Sequence, residues 1–527
     1  MKKTFIIATA LAMVGCNTSQ KAVKKTTEPT QQITAAVSPV SYAQTITPEA
    51  LKEKLYTYAS DDFQGRETGT EGAKIAVNYL KQQYTNMGIA AAKGGDNYFQ
   101  EVKLYQAGLP KATLSYKGKT YENGDDFITL SATNNAQINT NEIVYAGYGI
   151  DDENYSDYTN LDVKGKVVLV KSGEPVNEDG TYVISGDNQV SKWSDLRKSM
   201  QDRIAAAQDK GAKALLFFDG ENFQIFQRQY KYMKQRAGNG RLQLKKDNET
   251  TGFQLAFVSA NLAKAIDTEI NTNVTTKTFE GNFSLNVTSD QKDITAENVV
   301  AIIKGSEKPE EYVIVSAHLD HIGMHDGKVF NGADDDGSGT VSVLQIANAF
   351  KKAAKEGHGP KRSIVFLNVT GEEKGLLGSE WYSEHPVFPL ANTVADLNID
   401  MIGRIDPKRQ GDSNYVYLIG SDKLSTDLHK LSEEVNKKYV NLTLDYTYND
   451  ENDPNRFYYR SDHYNFAKHG IPIIFYFNGT HADYHKDTDT PDKINYNLLA
   501  KRAQLVFYTA WEVANREKRI VVDKPIK

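Results

Sequence analysis

The sequence predicts an α/β fold: a mixed, mostly parallel sheet covered by helices on both faces, with a β-rich domain inserted into it. Two observations carry this expectation. From about Glu297 onward, short and continuously apolar runs alternate with segments of helical periodicity, the pattern of strands buried between two helical layers. Before that point, residues 142–287 have a different texture, with several strand-like runs and one helical segment, as expected of a separate module set into the chain.

The N-terminal residues come first in the chain and stand apart from that fold. Lys2 and Lys3 precede an apolar run from Phe5 to Val14. Such a run is shorter than the ~20 residues of a bilayer span and has the form of a secretory signal. Cys16 follows directly and is the only cysteine, so no disulfide forms within the chain. Met13-Val14-Gly15-Cys16 resembles a bacterial lipobox, with Met13 where Leu is usual. The resemblance implies a signal peptide over residues 1–16, lipidation of Cys16, and export to a bacterial membrane on its periplasmic or cell-surface side. Residues 17–45 are rich in Thr, Gln, Ala, Lys and Ser and read as a flexible tether.

Folded structure is expected from residue 46. Thr47-Pro48-Glu49 is an N-cap followed by proline at the first helical position. In Glu71–Asn86, apolar residues recur at helical spacing before Gly88 supplies a stop. Residues 46–141 form the first part of the main domain. The inserted block offers strands at Glu142–Tyr145, Lys166–Val170 and Ala214–Phe218, and a helix at Ser194–Lys210. Its basic stretch, Arg228–Lys246, reads as a solvated loop. The rest of the main domain, residues 288–527, offers strands at Asn298–Ile303, Tyr312–Ala317, Ser363–Val369, Val394–Ile399, Tyr415–Ile419 and Ile471–Phe477. Helices are expected at Val341–Lys355 and Leu498–Arg516. A net charge of -6 over 527 residues gives no reason to expect nucleic acid as a partner.

The chemistry gathers where these strands end. Tyr312–Ala317 runs into His318-Leu319-Asp320-His321, and a loop then reaches Asp334-Asp335-Asp336 at the start of a helix. Ser363–Val369 runs into Gly371-Glu372-Glu373, Val394–Ile399 into Asp400, and Ile471–Phe477 into a loop with His481, Asp483, Tyr484 and His485. Carboxyl ends of strands line the ligand crevice of open α/β sheets. Singly, each group has an ordinary explanation as a cap, a surface pair or a hydrogen-bonded histidine. Together they repel unless a cation sits among them, and mixed imidazole and carboxylate ligands suit zinc better than calcium or magnesium.

These runs, in this order, resemble the successive motifs of M28 metallopeptidases. The resemblance extends upstream to Ser60–Arg66 and downstream to Asp489–Ile494. It implies a zinc-exopeptidase fold, with residues 142–287 resembling a protease-associated (PA) domain. It implies two zinc ions: Asp335 bridging them, His318 and Asp400 completing one site, and Glu373 and His485 the other. It further implies Glu372 as general base, Asp320 behind His318 to orient it, and Tyr484 stabilising the tetrahedral intermediate. Asp334 departs from the Asn common there. Peptides are then the substrates, and the lipid the contact with a membrane. Glutaminyl cyclisation and a metal-free receptor role are the alternatives; the complete ligand set argues against both. The sequence does not separate aminopeptidase from dipeptidase or carboxypeptidase action.

Overall fold

The computed structural model describes residues 38–130, 132, 134–235, 240–245, 252–409 and 411–526. The expected signal peptide, most of the tether and Cys16 lie outside them. Residues 39–527 form a single compact unit, built on two large sheets.

The apolar runs of the C-terminal half become the centre of the first sheet. Arg362–Val369, Lys308–His318, Thr393–Ile399 and Ile473–Phe477 lie side by side and parallel. Most of their residues are buried, as strands covered on both faces require. Outside this centre most of the pairing is antiparallel, although the edge strand Thr443–Asp445 pairs in parallel with Tyr415–Ile419. Gln291–Ile303 pairs with Arg362–Val369, Phe99–Ala107 with Gln291–Ile303, and Tyr415–Ile419 with Ile473–Phe477. The parallel character expected of the sheet thus lies mainly in its central, site-bearing strands.

Helices cover both faces. Pro48–Tyr58, Glu71–Met87, Gly339–Lys355 and Tyr496–Asn515 share one large apolar core with the sheet. Leu377–Glu384 and His463–Ala467 contribute to the opposite face. Local signals set their ends. The Thr47 side chain accepts a bond from Ala50 N at 3.2 Å, and Gly88 closes its helix in the left-handed conformation.

The second sheet has eight strands, running Lys119–Glu122, Lys111–Tyr116, Lys277–Thr288, Ala136–Tyr145, Val167–Lys171, Ala214–Phe218, Gln254–Val258, Phe127–Ile128. It therefore begins upstream of residue 142, because Lys277–Thr288 takes its outer antiparallel partner from Lys111–Tyr116. The basic stretch expected to be a loop is ordered instead where described. It holds the end of the helix Phe223–Gln235 and the strand Arg241–Leu244. Phe226 of that helix stacks on Phe257 at 3.7 Å between ring centroids, and aromatic contact rather than charge decides its structure. Arg241–Leu244 joins the first sheet, pairing with Phe99–Ala107.

Candidate metal centre

Each parallel strand ends by delivering a polar side chain to one edge of the sheet. His318 closes the strand Lys308–His318, Glu372 and Glu373 follow Arg362–Val369, Asp400 follows Thr393–Ile399, and His485 sits on the loop after Ile473–Phe477. Asp335 comes from the irregular turn before Gly339–Lys355, whose preceding Gly332 has a positive φ of 53°. A side chain at Gly332 would collide with the backbone of Asp335 and the ring of His321, so the turn needs glycine.

The five residues expected to bind metal converge. His318 Nε2 lies 3.3 Å from Asp335 Oδ1 and 3.6 Å from Asp400 Oδ1. His485 Nε2 lies 3.1 Å from both Asp335 Oδ2 and Glu373 Oε2. Asp335 thus turns one oxygen toward each histidine, the disposition of a bridging carboxylate. The packing of these charges shifts their proton affinities. Burial and the Asp335 charge push Glu373 upward, yet contacts with His321 and His485 outweigh them and hold it at about 2. Burial disfavours the charged form of His485, but Asp335 and Glu373 raise it to about 10.

Whether these residues fit a metal can be tested on their unmet bonds. His318 Nε2, both ring nitrogens of His321, Asp335 Oδ2, Asp336 Oδ2 and Glu373 Oε1 are buried without a hydrogen-bond partner. His321 Nδ1 comes within 2.8 Å of Glu373 Oε1, but the pair is not aligned as a hydrogen bond. Two triads have donor atoms close enough to share one ion, His318–Asp336–Asp400 and His321–Asp335–Glu373. Orphaned donors of N and O type, clustered and buried, fit zinc.

The remaining expected residues surround this cluster. Glu372, Tyr484, Asp335 and Asp400 line one small cleft. Burial and the neighbouring carboxylates raise Glu372 well above the ordinary carboxylate range, against the lowering effect of His318. Burial and the same acids push Tyr484 up, so it stays a phenol. Asp320 is fully buried behind His318, its Oδ1 3.8 Å from His318 Nδ1. The closer contact of that nitrogen is the Asp320 backbone carbonyl, at 3.1 Å. The Asp320 carboxylate instead accepts from Thr68 Oγ1 at 2.8 Å and from Glu372 N at 3.2 Å, tying the base's backbone to the ligand strand.

Several further residues of the motif runs, given no role by the resemblance, support the cluster. His321 joins a donor triad, and its signal was present as the second histidine of His318-Leu319-Asp320-His321. Asp336 Oδ1 accepts from Gly339 N and Met401 N, tying the helix start to the residue after Asp400. Asp489 Oδ2 accepts from the backbone of Asp334 and Asp335. Asp334, the departure from Asn, lies 3.1 Å from His481 Nε2 and accepts from Gly403 N. Arg66 donates to the carbonyls of Tyr58, Leu319, Asn331 and Gly332, clamping two ligand loops from the N-terminal part of the chain.

Comparison with known proteins bears on this arrangement. The model of peptidase family M28 matches residues 298–510. Among curated relatives, a probable glutamate carboxypeptidase AMP1 of Arabidopsis thaliana is 31% identical over 41% of the chain and 30% of its own length. A probable leucine aminopeptidase 2 of Aspergillus oryzae is 26% identical over 84% of the chain and 76% of its own length. The first relatives matched are covered over less than a third of their length. Among solved structures, an aminopeptidase from Aneurinibacillus sp. strain AM-1 aligns over 93% of the chain and 99% of its own, with 19% identity and a TM-score of 0.48. The parallel strand ends, the donor cluster and the family match coincide on one segment: residues 298–510 form a peptidase family M28 domain.

Proposed function

We propose that this chain is a co-catalytic dizinc exopeptidase, an aminopeptidase that removes N-terminal residues from peptides. The observation that carries the reading is the division of labour between adjacent carboxylates. Glu373 contacts His321 and His485, while Glu372 faces the cleft with Asp335, Asp400 and Tyr484. His318, Asp335 and Asp400 would hold one ion, and Asp335, Glu373 and His485 the other. When bound, the ions supply Lewis-acid polarisation and a more acidic water. Glu372, its proton affinity raised by burial, accepts a proton from the attacking water and returns it to the leaving amine. Tyr484 donates its phenol hydrogen bond to the developing oxyanion. The leucine aminopeptidase name of a relative aligned over most of the chain supports aminopeptidase action.

A mass-spectrometric time course on the zinc-loaded chain tests this, using peptides with free and with acetylated N-termini. Stepwise loss from the free peptides alone is expected. Glu372→Gln should keep its zinc and lose roughly a thousandfold or more in kcat, within the span seen for general acid–base groups and their electrostatic partners. Cleavage of acetylated peptides, or full turnover by Glu372→Gln, rejects the reading. Export and lipid attachment at Cys16 form part of the same proposal, on the lipobox-like run Met13–Cys16. Intact mass of the membrane-extracted chain should show the lipid, and Cys16→Ala should lack it.

A further inference from the structure

One cation lines the cleft beside the ligand cluster. The cleft encloses roughly 30 Å³, with Asp335, Glu372 and Asp400 on one wall, Phe457, Phe475 and Phe477 on another, and Arg460 among its lining residues. The Arg460 side chain is exposed. Its guanidinium carbon sits 4.9 Å from the centre of the Phe457 ring. Among the described residues it has no carboxylate partner.

Other arginines around the site are engaged. Arg404 pairs with Asp483 at 2.8 Å, Arg66 holds four carbonyls, and Arg502 donates to the carbonyls of Ile402, Arg404 and Tyr415. Arg460 differs from them in having its backbone fixed and its head free. Its N–H donates to Phe457 O at 3.0 Å. The next two residues are buried, Ser461 bonding Asn398 and Asp462 bonding Ser379. A guanidinium laid against an aromatic face and otherwise uncommitted is pre-organised to take a carboxylate in a two-pronged contact. The phenyl wall below it accepts methylene groups but offers no charge.

We propose that Arg460 reads a carboxylate of the substrate and sets the preference of the site for peptides that present one there. The proposal rests on the exopeptidase reading above and sharpens it. The carboxylate can come from the side chain of an N-terminal Glu or Asp, or from the free C-terminus of a short peptide. The competing account is that Arg460 only covers Phe457 from solvent, in which case its loss affects acidic and neutral substrates alike.

Two matched pairs separate these accounts on the zinc-loaded full chain. One pair is an N-terminal Glu and Gln anilide; the other is a dipeptide and its C-terminal amide. In at least one pair the carboxylate member should have the higher kcat/KM, by about tenfold, the scale of one charged hydrogen bond. Arg460→Gln should abolish that ratio, and Arg460→Lys should retain part of it by keeping the charge. The pair that responds names the source of the carboxylate. Calorimetric binding of glutamate and of glutamine to the zinc-loaded chain reads the same contact without turnover, with glutamate favoured and the difference lost in Arg460→Gln. Equal ratios in wild type and Arg460→Gln for both pairs, with no difference in binding, overturn the proposal while leaving hydrolysis intact. Absent hydrolysis with Arg460-dependent glutamate binding overturns the exopeptidase reading and leaves this one standing.

Discussion

At the scale of single residues, buried carboxylates divide into those with a task and those that cost stability. Asp396 lies in the central strand Thr393–Ile399, fully buried beneath the site. Its Oδ1 accepts from Ser316 Oγ at 2.7 Å, but its Oδ2 has no partner. Burial raises its pKa to about 8, against the lowering effect of the Ser316 bond and with Asp462 adding to the rise. A group whose folded pKa lies above its unfolded value supports the fold fully only below the unfolded pKa, near 4. That support fades as pH rises toward 8. At pH 7 the loss approaches about 4 kcal/mol as an upper bound. Asp396→Asn should therefore raise Tm at pH 7 to 8 and change it little near pH 4, as read by calorimetry across pH. An equal gain at both ends would place the effect in packing rather than ionisation. His463, which burial lowers to about 3, has the opposite sign: it weakens the fold as pH falls below about 6.5.

At the scale of elements, the site depends on how closely the helix after Glu373 approaches the sheet. Gly378 opens that helix against the backbone of Thr370 and the side chain of Asn298. Asn298 Nδ2 donates to Gly378 O at 2.8 Å, and its Oδ1 accepts from Thr370 N at 3.0 Å. A methyl group there meets rigid backbone on one side and a buried amide on the other. Gly378→Ala should destabilise by about 1–3 kcal/mol, the range of overpacking in a filled interior. Because Thr370 leads directly into Gly371-Glu372-Glu373, the variant should also bind zinc more weakly, as read by competition with a chromophoric chelator. Loss of stability with unaltered zinc affinity would show that the helix docks independently of the ligand loop.

At the scale of the whole molecule, four strands and an N-terminal clamp meet at one acidic cluster. A cation that binds the folded chain and not the unfolded one stabilises it by mass action. Chelation should lower Tm by several degrees, and restoring zinc should recover it with about two equivalents bound by elemental analysis. The orphaned donors of His318, His321, Asp335 and Glu373 span the cluster, so one equivalent is expected to give only part of the recovery. Full recovery at one equivalent would reject a two-ion centre.

How much of this was legible in the sequence follows from which forces act locally. The main strand and helix positions from about residue 297 onward follow from apolar runs and periodicity, and caps such as Thr47 and Gly88 from backbone chemistry. That acidic and imidazole groups gather at one sheet edge was legible because strand ends in such sheets share it; the five expected ligands came from the resemblance to M28 metallopeptidases. Sequence order could not show that most flanking pairs of the first sheet are antiparallel, or that the second sheet recruits Lys111–Tyr116 while Arg241–Leu244 joins the first. It could not show that the His318 ring bonds the Asp320 backbone carbonyl while the Asp320 carboxylate holds Glu372. Nor did it mark Arg460, or show that Arg66 of the run Ser60–Arg66 reaches carbonyls as far as 266 residues away. The sequence by itself determined the elements and the kinds of ligand, because propensity and residue chemistry are local. Only the tertiary structure decided register, the contacts among the expected ligands and the arginine at the cleft that has no carboxylate partner among the described residues, because those depend on distances between segments far apart in the chain.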